Sequence, residues 1–384
     1  MLVPLVERQT KTPMKIRPIL PLIYLMISPL WAVPVFIGTT TGRNNPSKGI
    51  YQADFNPETG VLTTPVLAAE YQNPGFLALH PRLPILYACG QPNVPFADGS
   101  SSVAAFSVSK DHLLKFISEA SVGGKGSCHL AIDATGGTAA IANYGDGSLS
   151  TVKLGEDGVP AAAVSVIRHQ GSGPNKGRQE GPHAHGVYFD KANAHLICPD
   201  LGIDQVSVYP FDATTSKIGA PLQPLTTAPG AGPRHLAFSA DAKNAYVVNE
   251  LDGTLISTTY DAGGFKVIGT QSSLPQGFAE YNKAAEVAVH PNGRFVYVSN
   301  RGHDSIAVYQ RDEKTGALSL LQHSPCGGKT PRHFVIDPTG KWLLCAHQDS
   351  NTISVLALDP ASGRLGSAGG TVPSPSPICL LFVP

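Results

Sequence analysis

The 384-residue chain lacks an excess of charge of either sign. Lys and Arg together number 28, as do Asp and Glu, so the formal net charge is zero. A balanced chain offers no broad basic face to nucleic acid and none to an anionic membrane surface. The composition therefore predicts a small molecule as the partner and leaves the oligomeric state open.

The chain also lacks the cysteine spacing of a zinc site. Its six cysteines form no CxxC pair and are scattered along the sequence, at Cys89, Cys128, Cys198, Cys326, Cys345 and Cys379. Most lie inside apolar strand patterns, where cysteine usually acts as a small buried hydrophobic residue. The sequence thus predicts no metal and no cofactor, and it does not say whether an exported chain would pair some cysteines.

No apolar run is long enough to span a membrane comfortably. The longest, residues 19–32, follows the short basic segment MKIR at residues 14–17. This layout is typical of a secretory signal peptide with a cleavage point at Ala32, and Met14 is a possible true start. We expect residues 1–32 to be a leader, and the chain to be periplasmic or secreted if that leader is a signal peptide, otherwise cytoplasmic.

Glycine and proline, by contrast, are abundant. The chain has 40 Gly and 33 Pro with 42% hydrophobic residues, which suits many short strands joined by turns. Both residues interrupt helices. The composition therefore favours an all-β fold.

An internal repeat organises most of the sequence. Its clearest copies begin at residues 232, 283 and 330, and weaker copies begin near residues 73, 127 and 181. Each copy reads as four strands separated by turns, and a period of about 50 residues is the signature of a β-propeller blade. Six complete units and one unit split between the termini predict seven four-stranded blades in one domain, residues 33–384. The C-terminal strand would complete blade one and close the ring.

Antiparallel pairing predicts which polar residues share a channel mouth. The start of each innermost strand and the end of each second strand lie at the same end of the channel. This rule brings together His185, Arg234, Arg332, Glu250 and Arg301, with Asn249 and Asn300 in neighbouring positions. The loop at residues 168–182 enters the same face with Arg178 and Gln179. The alternative is a purely structural role, in which Arg234 and Glu250 only form an ion pair that holds two strands of one blade together.

The residue types at this mouth predict the chemistry. Arginines bind carboxylate or phosphate, or stabilise an oxyanion, and Glu250 or His185 would serve as general base. The chain contains no serine nucleophile elbow, and an activated ester such as a lactone needs none. His183 and His185 would share a face of an extended strand and could ligate a metal, but acidic partners for a metal are sparse.

Several segments in register resemble one known family. The segments GPHAHGVYFD, GPRHLAFSAD, YVVNELDGT, VAVHPNGRFVYVSNRGHDSIAVY and RDEKTGALSLL are similar to the seven-bladed lactonases, which include bacterial propeller-type 6-phosphogluconolactonase and fungal carboxy-cis,cis-muconate cyclase. The resemblance covers residues 35–384. It implies metal-free hydrolysis of 6-phosphogluconolactone in the pentose phosphate route, or lactone formation in the cyclase branch.

The resemblance also implies site residues. The family's functional positions match His185, Arg234, Glu250 and Arg301, which we therefore predict to be catalytic, with Glu250 or His185 as base. Substrate binding is predicted for Arg178, Gln179, His183, Asn249, Asn300 and Arg332. A small anionic or sugar lactone is the expected substrate.

Two other functions remain open at this point. A non-catalytic exported propeller would bind a carbohydrate or a protein through the loop at residues 168–182. A muconate-type cyclase or isomerase would use the same arginines for two carboxylates. Fold alone does not decide among them.

Overall fold

The computed structural model describes Met1, residues 32–42 and residues 45–383, and the regular structure of these residues is β alone. The predicted leader and the possible start at Met14 lie outside the described residues, apart from Met1 and Ala32. Among the described residues, no helix has the length and hydropathy needed to cross a bilayer.

Seven antiparallel sheets make up the fold, and they follow one another along the chain. Blade one contains β1 (Val33–Thr39), β2 (Gly49–Asn56), β3 (Val61–Leu62), β4 (Val66–Glu70) and β30 (Pro377–Phe382). Blade two contains β5 (Gln72–Leu79), β6 (Ile85–Gln91), β7 (Ser102–Val108) and β8 (Leu114–Ser121). Blade three contains β9 (Ser127–Ile132), β10 (Thr138–Asn143), β11 (Ser148–Leu154) and β12 (Pro160–Arg168).

The remaining four blades follow the same plan. Blade four contains β13 (Tyr188–Phe189), β14 (His195–Asp200), β15 (Gln205–Asp212), β16 (Lys217–Ile218) and β17 (Leu225–Thr226). Blade five contains β18 (Pro233–Phe238), β19 (Asn244–Asn249), β20 (Thr254–Asp261) and β21 (Gly264–Ser272). Blade six contains β22 (Lys283–Val289), β23 (Phe295–Arg301), β24 (Ser305–Arg311) and β25 (Leu318–Pro325). Blade seven contains β26 (Pro331–Ile336), β27 (Trp342–His347), β28 (Thr352–Leu358) and β29 (Leu365–Pro373).

The turn between the first and second strands shows why the repeat folds in this way. In blade seven the Asp337 carboxylate accepts the backbone N–H groups of Thr339 and Trp342 at 3.0 and 2.8 Å. Gly340 then takes a positive φ of 72°, and its Cα lies against the His290 ring of blade six. An Asx turn followed by glycine reverses the chain tightly, and the sequence Asp-Pro-Thr-Gly at residues 337–340 provides both.

The blades pack through apolar side chains that alternate along the strands. Among the described residues, seven hydrophobic clusters lie one between each pair of adjacent blades. The cluster between blades seven and one joins Leu344 and Ile353 to Val35, Ile37 and Leu380. Since β30 also pairs with β1, the C-terminal strand is the innermost strand of blade one. The predicted seven-bladed propeller and its closure are confirmed.

One local prediction is wrong. His185 does not begin a regular innermost strand, because β13 of blade four covers only Tyr188–Phe189. His185 lies beyond an isolated bridge between Ala184 and Asp200 and donates its N–H to the Pro199 carbonyl at 2.9 Å. Pro199 has no N–H to return, so the ladder is interrupted here. The irregular backbone nevertheless leaves His185 at the channel mouth.

Candidate active site

Glu250 is the centre of the charged cluster at the channel mouth. Its carboxylate is almost fully buried and contacts three arginines from three parts of the chain. Oε1 lies 2.6 Å from Nη2 of Arg178, while Oε2 lies 2.7 Å from Nη2 of Arg301 and 3.2 Å from Nε of Arg234. Four of the predicted site residues therefore share one ion-pair network.

This network keeps Glu250 ionised. Burial by itself would raise the pKa of the Glu250 carboxyl, but Arg301, Arg234 and Arg178 together lower that pKa far below its ordinary value. Both carboxylate oxygens already accept hydrogen bonds from guanidinium groups. A carboxylate held in this way is a weak proton acceptor, because taking up a proton would break the pairs.

Backbone carbonyls of blade six fix two of the arginines. Arg234 donates through Nη1 to the Ala285 carbonyl at 2.7 Å, and Arg301 donates through Nη2 to the Ala284 carbonyl at 3.1 Å. Arg234 is in blade five and contacts its neighbour, so the pair with Glu250 does more than hold two strands of one blade together. The cluster fastens adjacent blades and places positive charge at the mouth.

His185 lies beside this cluster as a neutral imidazole. Its Nε2 is 3.9 Å from Oε2 of Glu250, and its Nδ1 is 3.9 Å from Sγ of Cys128. Burial, followed by the charge of Arg234, lowers the pKa of His185 well below 6.5. Neither contact is a strong hydrogen bond, so among the described residues the ring keeps a nitrogen for a water molecule or a ligand.

Cys128 lies next to His185 at the channel mouth. Its Sγ donates to the His185 carbonyl at 3.4 Å. Burial raises the pKa of the Cys128 thiol to about 12, so the reactive thiolate does not form at neutral pH. A thiol that stays protonated is a poor nucleophile.

The loop before His183 brings Arg178 over the mouth. Arg178 Nη2 also donates to the Tyr144 hydroxyl at 3.3 Å, while Nη1 is buried and has no partner among the described residues. His183 stacks on the Tyr144 ring with 4.3 Å between centroids, and its two nitrogens contact the Tyr144 carbonyl and the Glu180 carboxylate. His183 thus supports Tyr144, and its ring nitrogens are already engaged.

Three predicted substrate-binding amides point their groups into the fold. Gln179 is fully buried and donates to the Leu201 carbonyl and to Asp204 at 2.8 and 2.7 Å. Asn300 donates to the Ser273 carbonyl at 2.7 Å. Asn249 donates to Thr254, although its buried Oδ1 has no partner among the described residues. Most of the hydrogen-bonding groups of these three side chains are therefore used to hold loops and turns and are not available to a ligand.

Arg332 supplies a cation without a paired carboxylate. Within the described residues it forms no ion pair, and its Nη1 lies 3.5 Å from Oε1 of Gln348. Burial and the nearby Arg301 and Arg234 lower the pKa of Arg332 to about 9, so it stays charged at neutral pH. Such a group is available to an anion.

A cavity of about 410 Å³ contains part of this cluster, whereas Arg234 lines a neighbouring cavity. The first of these cavities is lined by Gly126, Cys128, Tyr144, Arg178, His185, Glu250, Lys283, Arg301 and Arg332. Four of these side chains are cationic and one is anionic, so the cavity carries an excess of positive charge. The sequence prediction missed Tyr144, Cys128 and Lys283 as site residues, although Tyr144 and Cys128 occupy the same strand-end positions as Glu250 and Arg234.

A second cavity of about 470 Å³ lies next to the first and shares Gly126 with it. Its lining is uncharged and combines hydroxyl and amide side chains with Phe96, as in Asn73, Gln91, Ser100 and Ser101. Neutral hydrogen-bonding groups around a ring suit sugar hydroxyls.

A family model described as lactonase, 7-bladed β-propeller, matches residues 34–382. The chain is similar to a 6-phosphogluconolactonase of Bacillus subtilis, with 35% identity over 352 residues, 91% of this chain and 97% of that protein. It is also similar to a 6-phosphogluconolactonase of Formosa agariphila, with 32% identity over 86% of this chain and 94% of that protein.

Solved structures give the same match. A periplasmic gluconolactonase of Pseudomonas aeruginosa superposes with a TM-score of 0.85 and 29% identity, covering 92% of this chain and 99% of that one. A Bacteroides fragilis protein superposes with a TM-score of 0.84 and 32% identity, covering 92% and 98%.

Proposed function

We propose that the cluster around Glu250 is the active site of this chain, which belongs to the seven-bladed β-propeller lactonase family and is a lactone hydrolase. The observation that carries this proposal is the cavity in which His185 and Glu250 lie beside Arg178 and Arg301, two of the three arginines that pair with the Glu250 carboxylate. The substrate proposed is a sugar lactone that bears an anionic group.

We assign proton transfer to His185. It takes a proton from water as the water oxygen attacks the lactone carbonyl carbon. The C–O bond of the lactone ring then breaks, and His185 returns the proton to the ring oxygen, which leaves as a hydroxyl group. The products are the hydroxy acid and an unchanged imidazole. Glu250, 3.9 Å from His185 Nε2, stabilises the imidazolium that forms between the two steps.

The arginines stabilise the negative charge that develops on the carbonyl oxygen. Arg234 and Arg301 are held in place by Glu250 and by backbone carbonyls, so they need little rearrangement during the reaction. Arg178 has a buried Nη1 without a protein partner, which is free to donate to the oxyanion. Glu250 acts as a positioning residue in this scheme, because its oxygens bind arginines.

Substrate preference follows from the unpaired cations. We expect kcat/KM for 6-phosphogluconolactone to exceed that for unphosphorylated gluconolactone by about 10- to 100-fold, since one or two charge-assisted hydrogen bonds would form with Arg332 and Lys283. Hydrolysis is followed by pH-stat and corrected for the spontaneous reaction. Glucarolactone, which carries a carboxylate instead of a phosphate, shows whether the two anions are equivalent.

The matched variant is Arg332→Gln, compared with Arg364→Gln on the exposed outer part of blade seven. Arg332→Gln is expected to lower the preference for the charged lactone, since only Lys283 then remains to bind the anionic group, while Arg364→Gln retains the full preference. Equal rates with charged and neutral lactones in the wild type would contradict the preference without touching the lactonase activity. A phosphorylated substrate would place the protein in the pentose phosphate pathway.

We propose that the chain is exported, as the sequence of its first 32 residues suggests. The similar Pseudomonas aeruginosa protein is described as periplasmic. N-terminal sequencing of the protein recovered from its native source tests this proposal, and cleavage next to Ala32 is the expected result. An intact N-terminus at Met1 or Met14 would contradict export and favour a cytoplasmic enzyme.

The alternatives from the sequence receive less support. The relatives are named as lactonases, which favours hydrolysis over a purely binding role. The cyclase alternative needs arginines for two carboxylates, whereas three of the four arginines at this mouth already contact Glu250.

A further inference from the structure

Blade seven contains a buried cluster of soft ligands outside the active site. It consists of Cys326, Cys345 and His347, whose ligand atoms all lie within 4.8 Å of one another. All three side chains are fully buried. Nδ1 of His347 is 3.9 Å from Sγ of Cys326.

The hydrogen bonds around His347 leave the right nitrogen free. The Ser354 hydroxyl donates to the Cys326 carbonyl at 2.6 Å. Its oxygen therefore accepts from Nε2 of His347, which lies 2.9 Å away. The proton is thus on Nε2, and the lone pair of Nδ1 points toward the sulfur atoms. Metal-binding histidines are commonly oriented by such a partner on the second nitrogen.

Blade six is an internal control for this arrangement. Ser273 follows the last strand of blade five as Cys326 follows the last strand of blade six, and both residues contact the second strand of the next blade. Asn300 and His347 are equivalent positions near the ends of the second strands of blades six and seven. Asn300 pairs with Ala284, and His347 pairs with the equivalent Pro331. Two residues before them lie Val298 and Cys345.

The comparison shows that all three positions change together. Blade six has Ser273, Val298 and Asn300, where Ser273 Oγ donates to Asn300 Oδ1 at 2.8 Å. Blade seven has a thiol, a thiol and an imidazole. Packing alone does not require these residue types, because blade six closes the same space with serine, valine and asparagine.

We propose that Cys326, Cys345 and His347 form a structural site for a thiophilic d10 metal ion. Thiolates and imidazole prefer Zn²⁺ or Cu⁺ among the common cellular ions. Two thiolates balance the charge of Zn²⁺, which makes it the favoured ion in a fully buried site. The three side chains would supply three of the four ligands of a structural Zn²⁺, and the Asp304 carbonyl oxygen, 2.9 Å from Cys326 Sγ, is near enough to supply the fourth.

The ion would stabilise one wall of the active site. His347 pairs with Pro331 across the two strands. The next residue, Gln348, has its Oε1 3.5 Å from Nη1 of Arg332. The ion would hold the second strand of blade seven to the loop that enters its first strand. This proposal is independent of the lactonase assignment, because binding and stability are measured without substrate.

The test compares metal content. The intact protein, prepared under reducing conditions with Zn²⁺ or Cu⁺ and then dialysed, is analysed by mass spectrometry for bound metal. We expect about one Zn²⁺ per chain in the wild type. The triple variant Cys326→Ser, Cys345→Val, His347→Asn, which copies blade six, should retain at least 10-fold less. Co²⁺ in the wild type should show a thiolate charge-transfer band that the variant lacks.

Stability provides the second measurement. Chelation should lower the Tm of the wild type and leave the Tm of the triple variant unchanged, since binding to the folded state alone stabilises it. Cys198→Ala, at a buried cysteine in blade four, is the control and should retain the metal. Retention of Cu⁺ instead of Zn²⁺ would support the site and identify Cu⁺ as the ion that it binds.

Two results would overturn the proposal. The first is equal metal content in the wild type and in the triple variant. The second is a Cys326–Cys345 disulfide that is present in both of two preparations: metal-free protein purified without reductant, and protein offered Zn²⁺ under reduction. Thiol titration after unfolding detects it.

Discussion

The His185→Gln substitution is expected to lower kcat for lactone hydrolysis by about 100- to 10,000-fold, the usual contribution of a general base. Glutamine keeps the approximate size and polarity of the side chain but cannot accept the proton of water. KM should change little, because the arginines that bind the substrate remain. The initial rate by pH-stat, with the spontaneous rate subtracted, measures the effect.

The pH profile identifies the base. A histidine must be neutral to act, and burial together with Arg234 lowers the pKa of His185 well below 6.5. The wild-type rate should therefore stay constant as the pH falls to 6.5 and decrease only below it. The acid limb should disappear in His185→Gln. If the limb remains there and disappears in Glu250→Gln, Glu250 is the base and the assignment is wrong.

His290→Gln is a suitable control for this experiment. His290 is as buried as His185 but follows the end of an innermost strand, on the opposite side of the disc, where it contacts the Gly340 carbonyl at 2.9 Å. The His290→Gln substitution should destabilise the protein and leave kcat close to the wild-type value. A similar loss of kcat in both variants would indicate a general effect on the fold.

The Glu250→Gln substitution is expected to destabilise the protein by about 3–5 kcal/mol, the usual cost of removing one partner from a buried ion pair. The reason is that Arg178, Arg234 and Arg301 would then face one another around a neutral amide. Denaturant unfolding measures the change. Activity should fall as well, because the arginines lose the carboxylate that positions them.

A second substitution separates charge from packing. Removing one arginine, as in Glu250→Gln with Arg178→Gln, should recover part of the lost stability because Arg178 is the most exposed of the three partners. Arg311→Gln is the control, since Arg311 is a buried arginine that contacts Tyr246 and Asn244 far from Glu250. A double variant that is no more stable than Glu250→Gln would contradict the electrostatic explanation.

The pH dependence of stability has a definite sign. The pKa of Glu250 is lowered by folding, so its contribution is fully present above its unfolded value of about 4.5 and is lost as the pH falls below that value. Wild-type stability should decrease on this acid side. Glu250→Gln, which has no carboxyl group to titrate, should show a smaller decrease.

The sequence predicted the parts of the site that follow the repeat. Arg234, Glu250, Arg301 and Arg332 occupy strand ends in a periodic fold, and periodic register places such residues at one mouth. The loop at residues 168–182 has no register, so the sequence could not tell that Arg178 reaches Glu250 whereas Gln179 turns into its own loop. The predicted strand at His185 is interrupted by Pro199, yet His185 lines the cavity at the mouth.

Contacts between distant or adjacent blades escape sequence reasoning for another reason. Cys326 and Cys345 lack zinc-like spacing, yet the passage from one blade to the next brings Cys326 beside the second strand of blade seven. The signal lay in the aligned copies of the repeat, where three positions change at once. Lys283 was missed because its blade carries alanine at the position of Arg234 and Arg332.

The pairing of β30 with β1 has a consequence for biosynthesis. The innermost strand of blade one consists of Pro377–Phe382, which follows all the other strands of the propeller in the chain and is synthesised after them. Until then β1 has an unpaired edge, and apolar residues such as Val35 and Ile37 lack Leu380. An incomplete chain can form blades two to seven but cannot seal the disc, and an open strand edge invites association with other chains. Circular closure therefore makes completion of the fold depend on the synthesis of this one strand.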